Sequence, residues 1–258
     1  KDITDNSMVW LGHSSYFMKI DNKNILIDPV FNSASPFSFM IKPFDAEYNY
    51  SCKDIPKVDI LIITHDHWDH LDYEVVKEIK SRVSLVVCPL GVGEHFEYWG
   101  YDNNVIVELD WYEKSDIDGM SITCLPTRHY SGRGRETRKN LWGSFMVESS
   151  AKTIYIGGDS GYDTHFAKIG NEFTNIDLAI LENGQYNEDW RYIHLLPDDL
   201  HKAMKDLKAK SYFTGHNSKY ALALHSWNEP MKNLEKIAKE DSSLNIITSK
   251  IGEVITLQ

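Results

Sequence analysis

The stretch Thr64-His65-Asp66-His67-Trp68-Asp69-His70 constrains this chain more than any other. It follows Asp59-Ile60-Leu61-Ile62-Ile63, an apolar and β-branched run that reads as a buried strand. It precedes a segment with Val75, Val76 and Ile79 at helical spacing. The cluster therefore falls where a central strand ends and a helix begins, the edge at which α/β folds bind ligands. His65 and His67 are two apart, so on a strand end both rings leave on one side. Asp69 and His70 follow in the turn that opens the helix. Imidazoles and carboxylates (Asp66 and Asp69) crowded beside a buried strand are costly unless a cation compensates them. One ion cannot easily use His65, His67, His70 and Asp69 together, whereas two ions can.

The remaining chain supplies strands that end on similar residues. Met8–Gly12, Tyr16–Ile20 and Asn24–Pro29 read as consecutive strands, with Asp21-Asn22-Lys23 as a tight turn. Gly12-His13-Ser14-Ser15 is the polar loop between the first two. Residues 30–57 carry no periodicity and read as a long excursion over the site. Ser84–Pro89, Val105–Leu109 and Met120–Pro126 continue as strands, with a helix-like stretch over 91–100. His129 stands just past the third of these, at the same kind of address as His65. Leu141–Glu148 and Thr153–Gly161 read as a strand pair, with Asp159 among glycines that let backbone approach a ligand. Leu178–Glu182 is another buried strand, and Ser211–His216 a short strand ending on a histidine. Helices are expected from Pro197 and from Pro230. Asn245–Thr248 and Val254–Leu257 are expected to close the chain as a hairpin around Gly252.

Composition narrows the function. The 258 residues suffice for one large domain, and the net charge of −11 argues against a nucleic-acid partner. No run of apolar residues is long enough for a transmembrane helix, and no secretory leader is expected from the opening residues. Cys52, Cys88 and Cys124 have neither metal-knuckle spacing nor an even count. A reducing cytoplasm is the expected compartment, with peripheral membrane association if the substrate is a lipid.

The motif His-x-His-x-Asp-His resembles the signature of the metallo-β-lactamase superfamily. Gly12-His13-Ser14-Ser15, Asp28-Pro29, His129, Asp159 and His216 recur in that superfamily's order, over nearly the whole chain. Arg128-His129-Tyr130-Ser131-Gly132-Arg133-Gly134, Leu141-Trp142-Gly143-Ser144, Gly158-Asp159-Ser160-Gly161-Tyr162 and His194 ahead of Leu195-Leu196-Pro197-Asp198 are similar to a narrower branch. That branch comprises the N-acylphosphatidylethanolamine-hydrolysing phospholipase D group and its bacterial relatives. Its usual Trp-Gly after the last histidine is Asn217-Ser218 here.

The resemblance implies an α/β fold: an αββα four-layer sandwich of two packed mixed sheets with helices on both outer faces. It implies a single domain over 1–258, with pseudo-symmetric halves at roughly 1–135 and 136–258. It also implies two divalent metal ions, zinc first, with manganese or iron as alternatives. One would be held by His65, His67 and His129, the other by Asp69, His70 and His216, with Asp159 bridging. His13 and Asp28 would steady the ligands. A hydroxide shared by the ions would attack a phosphodiester or phosphorylated small molecule. Asp69 would orient it and His194 would protonate the leaving group. Arg133, Tyr130, Trp142 and His225 are the substrate-binding candidates. The arginines Arg133, Arg135 and Arg138, with Lys139, form a candidate phosphate clamp. The substrate would be a small molecule or lipid-like. The alternatives are a lactone or amide hydrolase of the sugar-phosphate lactonase type, and a non-catalytic metal-stabilised sensor or scaffold.

Overall fold

The structure is a computed structural model that describes residues 3–37, 39–46, 49–134 and 137–257. Six strands open the chain: β1 (Ser7–Trp10), β2 (Tyr16–Ile20), β3 (Lys23–Ile27), β4 (Val58–Ile62), β5 (Val83–Pro89) and β6 (Ile106–Leu109). Helices α1 (Tyr73–Ile79) and α2 (Gly93–Tyr98) lie between them in sequence. Next come β7 (Lys114–Ile117), β8 (Met120–Leu125), β9 (Ser144–Glu148), β10 (Thr153–Ile156), β11 (Leu178–Glu182) and β12 (Tyr212–Gly215). Helices α3 (His165–Glu172), α4 (Pro197–Leu207) and α5 (Glu229–Glu240) accompany them, and β13 (Val254–Thr256) ends the chain.

These strands form two mixed sheets, ordered β13-β1-β2-β3-β4-β5-β6 and β12-β11-β10-β9-β8-β7. The chain crosses from one sheet to the other between Leu109 and Lys114, ahead of the division expected near residue 135, and β13 returns to the first sheet. Alternation along β4 shows how the layers are built. Ile60 and Ile62 point into a core between the sheets that also holds Phe145, Ile156 and Phe213. Leu61 and Ile63 point the other way, against Val75 and Val76 of α1 and Phe96 of α2. A strand buried on both faces reads as a continuous apolar run, as this one does. On the far side, Met146, Tyr155 and Ala179 pack under Phe166 of α3, Met204 of α4 and Ile237 of α5. Three apolar seams between four layers give the αββα sandwich. Full burial of each isoleucine in these seams stabilises by roughly 1.5–3 kcal/mol.

The parallel strands set the address of the site. Asp28, Thr64 and His65 follow β3 and β4, while Asp159, Glu182 and His216 lie at or just past the carboxyl ends of β10, β11 and β12. Both sheets deliver these ends to the same edge. The side chain of Asp72 accepts from the Glu74 and Val75 amides, which starts α1 immediately after the histidine cluster.

Two local expectations change. The closing hairpin does not form: Val254–Thr256 pairs antiparallel with β1, while Ile246 makes an isolated bridge to Tyr212 of β12. Each apolar arm completes a different sheet edge, and the Gly252 amide bonds Trp10 O on the way between them. Leu141-Trp142-Gly143 precedes β9 rather than belonging to it, because its amides bond across to Leu90 O and Thr64 O of the first sheet's loops. The polar edge strand β7 and helix α3 were not foreseen.

Candidate metal centre

Three ring nitrogens converge beside the end of β4. His65 Nε2 lies 3.0 Å and His129 Nε2 3.1 Å from His67 Nδ1. The opposite nitrogens fix the tautomers. His129 Nδ1–H donates to Ile193 O at 2.8 Å, so Nε2 of the neutral ring carries a lone pair. The Thr64 hydroxyl donates to Asp28 Oδ2 at 2.6 Å and so accepts from His65 Nδ1–H at 3.0 Å, which leaves Nε2 bare again. Burial pushes both groups well below the ordinary histidine range, so both rings stay neutral. Facing lone pairs repel unless a cation lies among them. Nitrogens sharing one tetrahedral zinc stand about 3.3 Å apart, close to what is seen.

A second set lies alongside. His70 Nδ1–H donates to Asp28 Oδ2 at 2.7 Å, which turns Nε2 toward Asp159 Oδ1 at 3.2 Å. Those two atoms are buried, and neither makes an aligned hydrogen bond. His216 Nε2 stands 3.2 Å from Asp159 Oδ2 and 3.3 Å from Asp69 Oδ2. Asp159 Oδ2 is also 3.8 Å from His129 Nε2 and 4.0 Å from His65 Nε2. Asp159 therefore faces both donor sets with its two oxygens. Gly158, at φ +59°, lets it do so: a Cβ there would stand 3.0 Å from Thr64 Cβ and from Gly143 O.

The electrostatics show a positive charge in demand. Burial pushes the His216 imidazolium down, but Asp159, Asp69 and Glu182 outweigh it and hold the group up at about 10. Burial would raise the Asp159 carboxyl, yet His216 and His70 keep it well below the usual carboxylate range. Neutral imidazoles, ionised carboxylates and orphaned buried atoms such as His70 Nε2 and Asp159 Oδ1 fit divalent metal ions. His13 Nε2–H donates to Asp69 Oδ2 at 2.9 Å, so His13 steadies Asp69 as Asp28 steadies His70.

His67, Asp69, His129, Asp159 and His216 floor an open cavity of about 580 Å³, with Tyr130, Trp68, Arg133, Trp190 and His194 among its walls. The family described as the beta-lactamase superfamily domain matches this chain over residues 23–217. This chain belongs to that superfamily. An uncharacterized protein of Mycobacterium tuberculosis is 33% identical over 245 residues, covering 93% of this chain and 66% of the relative. N-acyl-phosphatidylethanolamine-hydrolyzing phospholipase D 1 of Caenorhabditis elegans is 29% identical, covering 95% of this chain and 74% of its own. Igni18, described as a metallo hydrolase from the archaeon Ignicoccus hospitalis, shares the fold with a TM-score of 0.73 at 18% identity, over 98% of both chains.

Not every substrate candidate reaches the cavity of this superfamily domain. Trp142 does not line it: its indole N–H donates to Thr127 O and its ring packs on Trp111. His225 does not line it either. Its Nε2 accepts from the Gln185 amide at 2.7 Å and its Nδ1–H donates to Ser226 O, so both nitrogens are spent on the loop. Arg133 lines the cavity, but Nη1 donates to Asp66 O and Leu71 O and the guanidinium lies 3.8 Å over Trp68. It braces the metal-motif loop instead of standing free as a clamp. Arg138 is exposed and does not line the cavity, and Arg135 lies outside the described residues.

Asp66, expected among the carboxylates that call for a cation, instead accepts from the Gly132 amide, Asn140 and His95, tying the segment after His129 to the metal motif. One further residue of the site was missed. Glu182 contacts His194 and His216. Its signal was an acid ending an apolar strand run, the same address as Asp159 and His216.

Proposed function

We propose that this domain binds two divalent metal ions, zinc first, and hydrolyses a phosphodiester of a small or lipid-like molecule. The observation that carries this reading is the pair of donor sets that share Asp159 on the cavity floor. His65, His67 and His129 would hold one ion, and Asp69, His70 and His216 the other. Bound there, the ions supply Lewis acidity and a water that ionises near neutral pH.

The chain's own side chains do the rest. Asp28 and His13 fix ring and carboxylate orientation. Asp69, which reaches the cavity, orients the attacking water. Tyr130 packs on His67 and His129, and burial raises its phenol, so it stays protonated and donates to a substrate oxygen. His194, on the cavity wall, delivers a proton to the leaving oxygen. Phosphodiester cleavage is favoured by the similarity to the phospholipase D of Caenorhabditis elegans and to the mitochondrial one of Saccharomyces cerevisiae, 31% identical over 89% of this chain and 51% of its own. The chain spans 66% of its mycobacterial relatives, so the activity of a longer protein is part of the proposal. A lipid-like substrate is supported by exposed Phe37 and Leu224, which sit close in sequence to the lining residues Pro36 and Leu222.

The test is turnover of bis(p-nitrophenyl) phosphate, a phospholipid diester, a lactone and a β-lactam by the metal-loaded protein. Cleavage of the diesters supports the reading. Activity confined to the lactone moves the assignment to the lactonase alternative.

A further inference from the structure

Strand β12 ends at Gly215, and the chain then turns sharply: His216 has φ +63° and Ser218 has φ +61°. A left-handed backbone is uncommon at a residue that carries a Cβ, so two of them around one position need a fastening. Asn217 stands between them and is 1% exposed. Its side-chain Nδ2 donates to Gly215 O and to Asn183 O, both at 2.9 Å. Its Oδ1 accepts from the Ser218 hydroxyl at 2.7 Å. A primary amide has two N–H groups, and both are used.

The sheet explains why those carbonyls need a donor. Strands β11 and β12 are parallel, with Glu182 opposite Gly215, and the Asn183 amide donates to Gly215 O at 2.9 Å. One more rung of that ladder would bring the backbone N–H of residue 217 to Asn183 O. The chain leaves the ladder at His216, and the Asn217 side chain makes the rung instead. A buried carbonyl thereby keeps its partner while the backbone turns one residue early. The same turn is bonded to the loop that bears His13. His13 N donates to Asn217 O at 3.2 Å, and His216 N donates to His13 O at 2.9 Å. The turn thus sets His216, whose Nε2 stands 3.2 Å from Asp159 Oδ2, and reaches Asp69 through His13. Among the described residues, no hydrogen bond joins 215–218 to His65, His67 or His129.

We propose that Asn217 is the positioning residue of the second donor set: its amide closes the ladder between β11 and β12 and holds His216 in the turn that aims Nε2 at Asp69 and Asp159. The proposal deepens the two-ion reading and rests on it. Asn217-Ser218 stands where the similar branch usually has Trp-Gly, so the device belongs to this chain and not to that pattern. Asn217 touches neither ion nor substrate. Its effect therefore falls on the ion that His216 would hold and spares the one among His65, His67 and His129.

Zinc is the probe, titrated into the whole chain after metal removal, in competition with a chelator. The imidazole nitrogen-15 signals of His129 and His216 report the two sites separately. Asn217→Ala removes the three side-chain bonds. Asn217→Asp keeps the shape but offers no donor and sets a carboxylate against two carbonyl oxygens. Both are expected to weaken zinc at the His216 site by about 10–100-fold, the range for a partner one step removed from a metal, with the His129 site as in the wild type. Ile180→Val, a core change in β11, is expected to lower Tm and leave both affinities unchanged. That comparison separates a general loss of stability from a loss of aim. In the wild type, hydrogen exchange is expected to show both Asn217 side-chain protons protected, with and without zinc, because their carbonyl partners do not need the ion.

The proposal is overturned if both affinities fall together in the Asn217 variants, if neither falls, or if the Asn217 side-chain protons exchange freely in the wild type. Variants that fail to fold leave the exchange measurement to decide. A wild type that takes up one zinc under replete conditions contradicts the two-ion reading and takes the proposal with it. Two zincs in the wild type, with the His216 site unmoved in both variants, remove only the role of Asn217.

Discussion

The His70 Nδ1–H donates to Asp28 Oδ2 at 2.7 Å, and that bond decides which ring nitrogen faces Asp159. Asp28 is otherwise saturated by the Thr64 amide and hydroxyl. All three partners are donors, so an asparagine in its place would press its NH2 against one of them. Asp28→Asn is expected to weaken metal affinity by about 10–100-fold, measured by competition with a chelator, with the fold retained. Unchanged affinity would show that the bond does not orient His70.

Asp159 faces both donor sets, and without it two cations would repel across a gap of about 4 Å. Asp159→Ala is expected to leave one ion per chain and little turnover, with the circular dichroism of the wild type. Elemental analysis checks this, and two ions with normal activity would reduce Asp159 to a turn residue.

Arg133 is bound to two backbone carbonyls and stacked on Trp68. Its removal is therefore expected to destabilise the fold by about 2 kcal/mol, the scale of a charged hydrogen bond. Activity on charged and uncharged substrates should fall together. A KM rise confined to phosphate-bearing substrates would restore the clamp.

Lys219 gives a pH signature independent of the metal ligands. Its ammonium is buried and donates to Leu11 O and Val30 O. Burial pushes it down to about 7, with Asp72 only partly opposing. An unfolded chain keeps the ordinary value near 10.5, so between pH 7 and 10.5 the unfolded state binds the extra proton. That group's contribution to stability therefore rises with pH across this window. Lys219→Met is expected to flatten the window relative to wild type, read as Tm against pH. Parallel profiles would mean that Lys219 stays charged in the fold.

Much of this was legible because strand ends and chemistry coincide. The runs before His65, His129, Asp159 and His216 are apolar strands, and each delivers a polar residue to one edge. That pattern carries the fold and the seven candidate ligands. What stayed hidden depends on partners remote in sequence. Nothing local shows that Arg133 would meet the carbonyls of Asp66 and Leu71, or that both nitrogens of His225 would be spent. The closing hairpin failed for the same reason, since two apolar arms near a glycine do not reveal that two separate sheet edges wait for them. Helix α3 was missed because its inward residues are only Phe166 and Ile169, with His165 and Gly170 beside them.

The central claim is two ions on two specified donor sets. Anomalous diffraction from crystals of the metal-loaded protein measures it directly. Two peaks are expected, roughly 3.5–4 Å apart, one among His65, His67 and His129 and the other among Asp69, His70 and His216, with Asp159 between them. A single peak under metal-replete conditions, or density away from Asp159, would contradict the account.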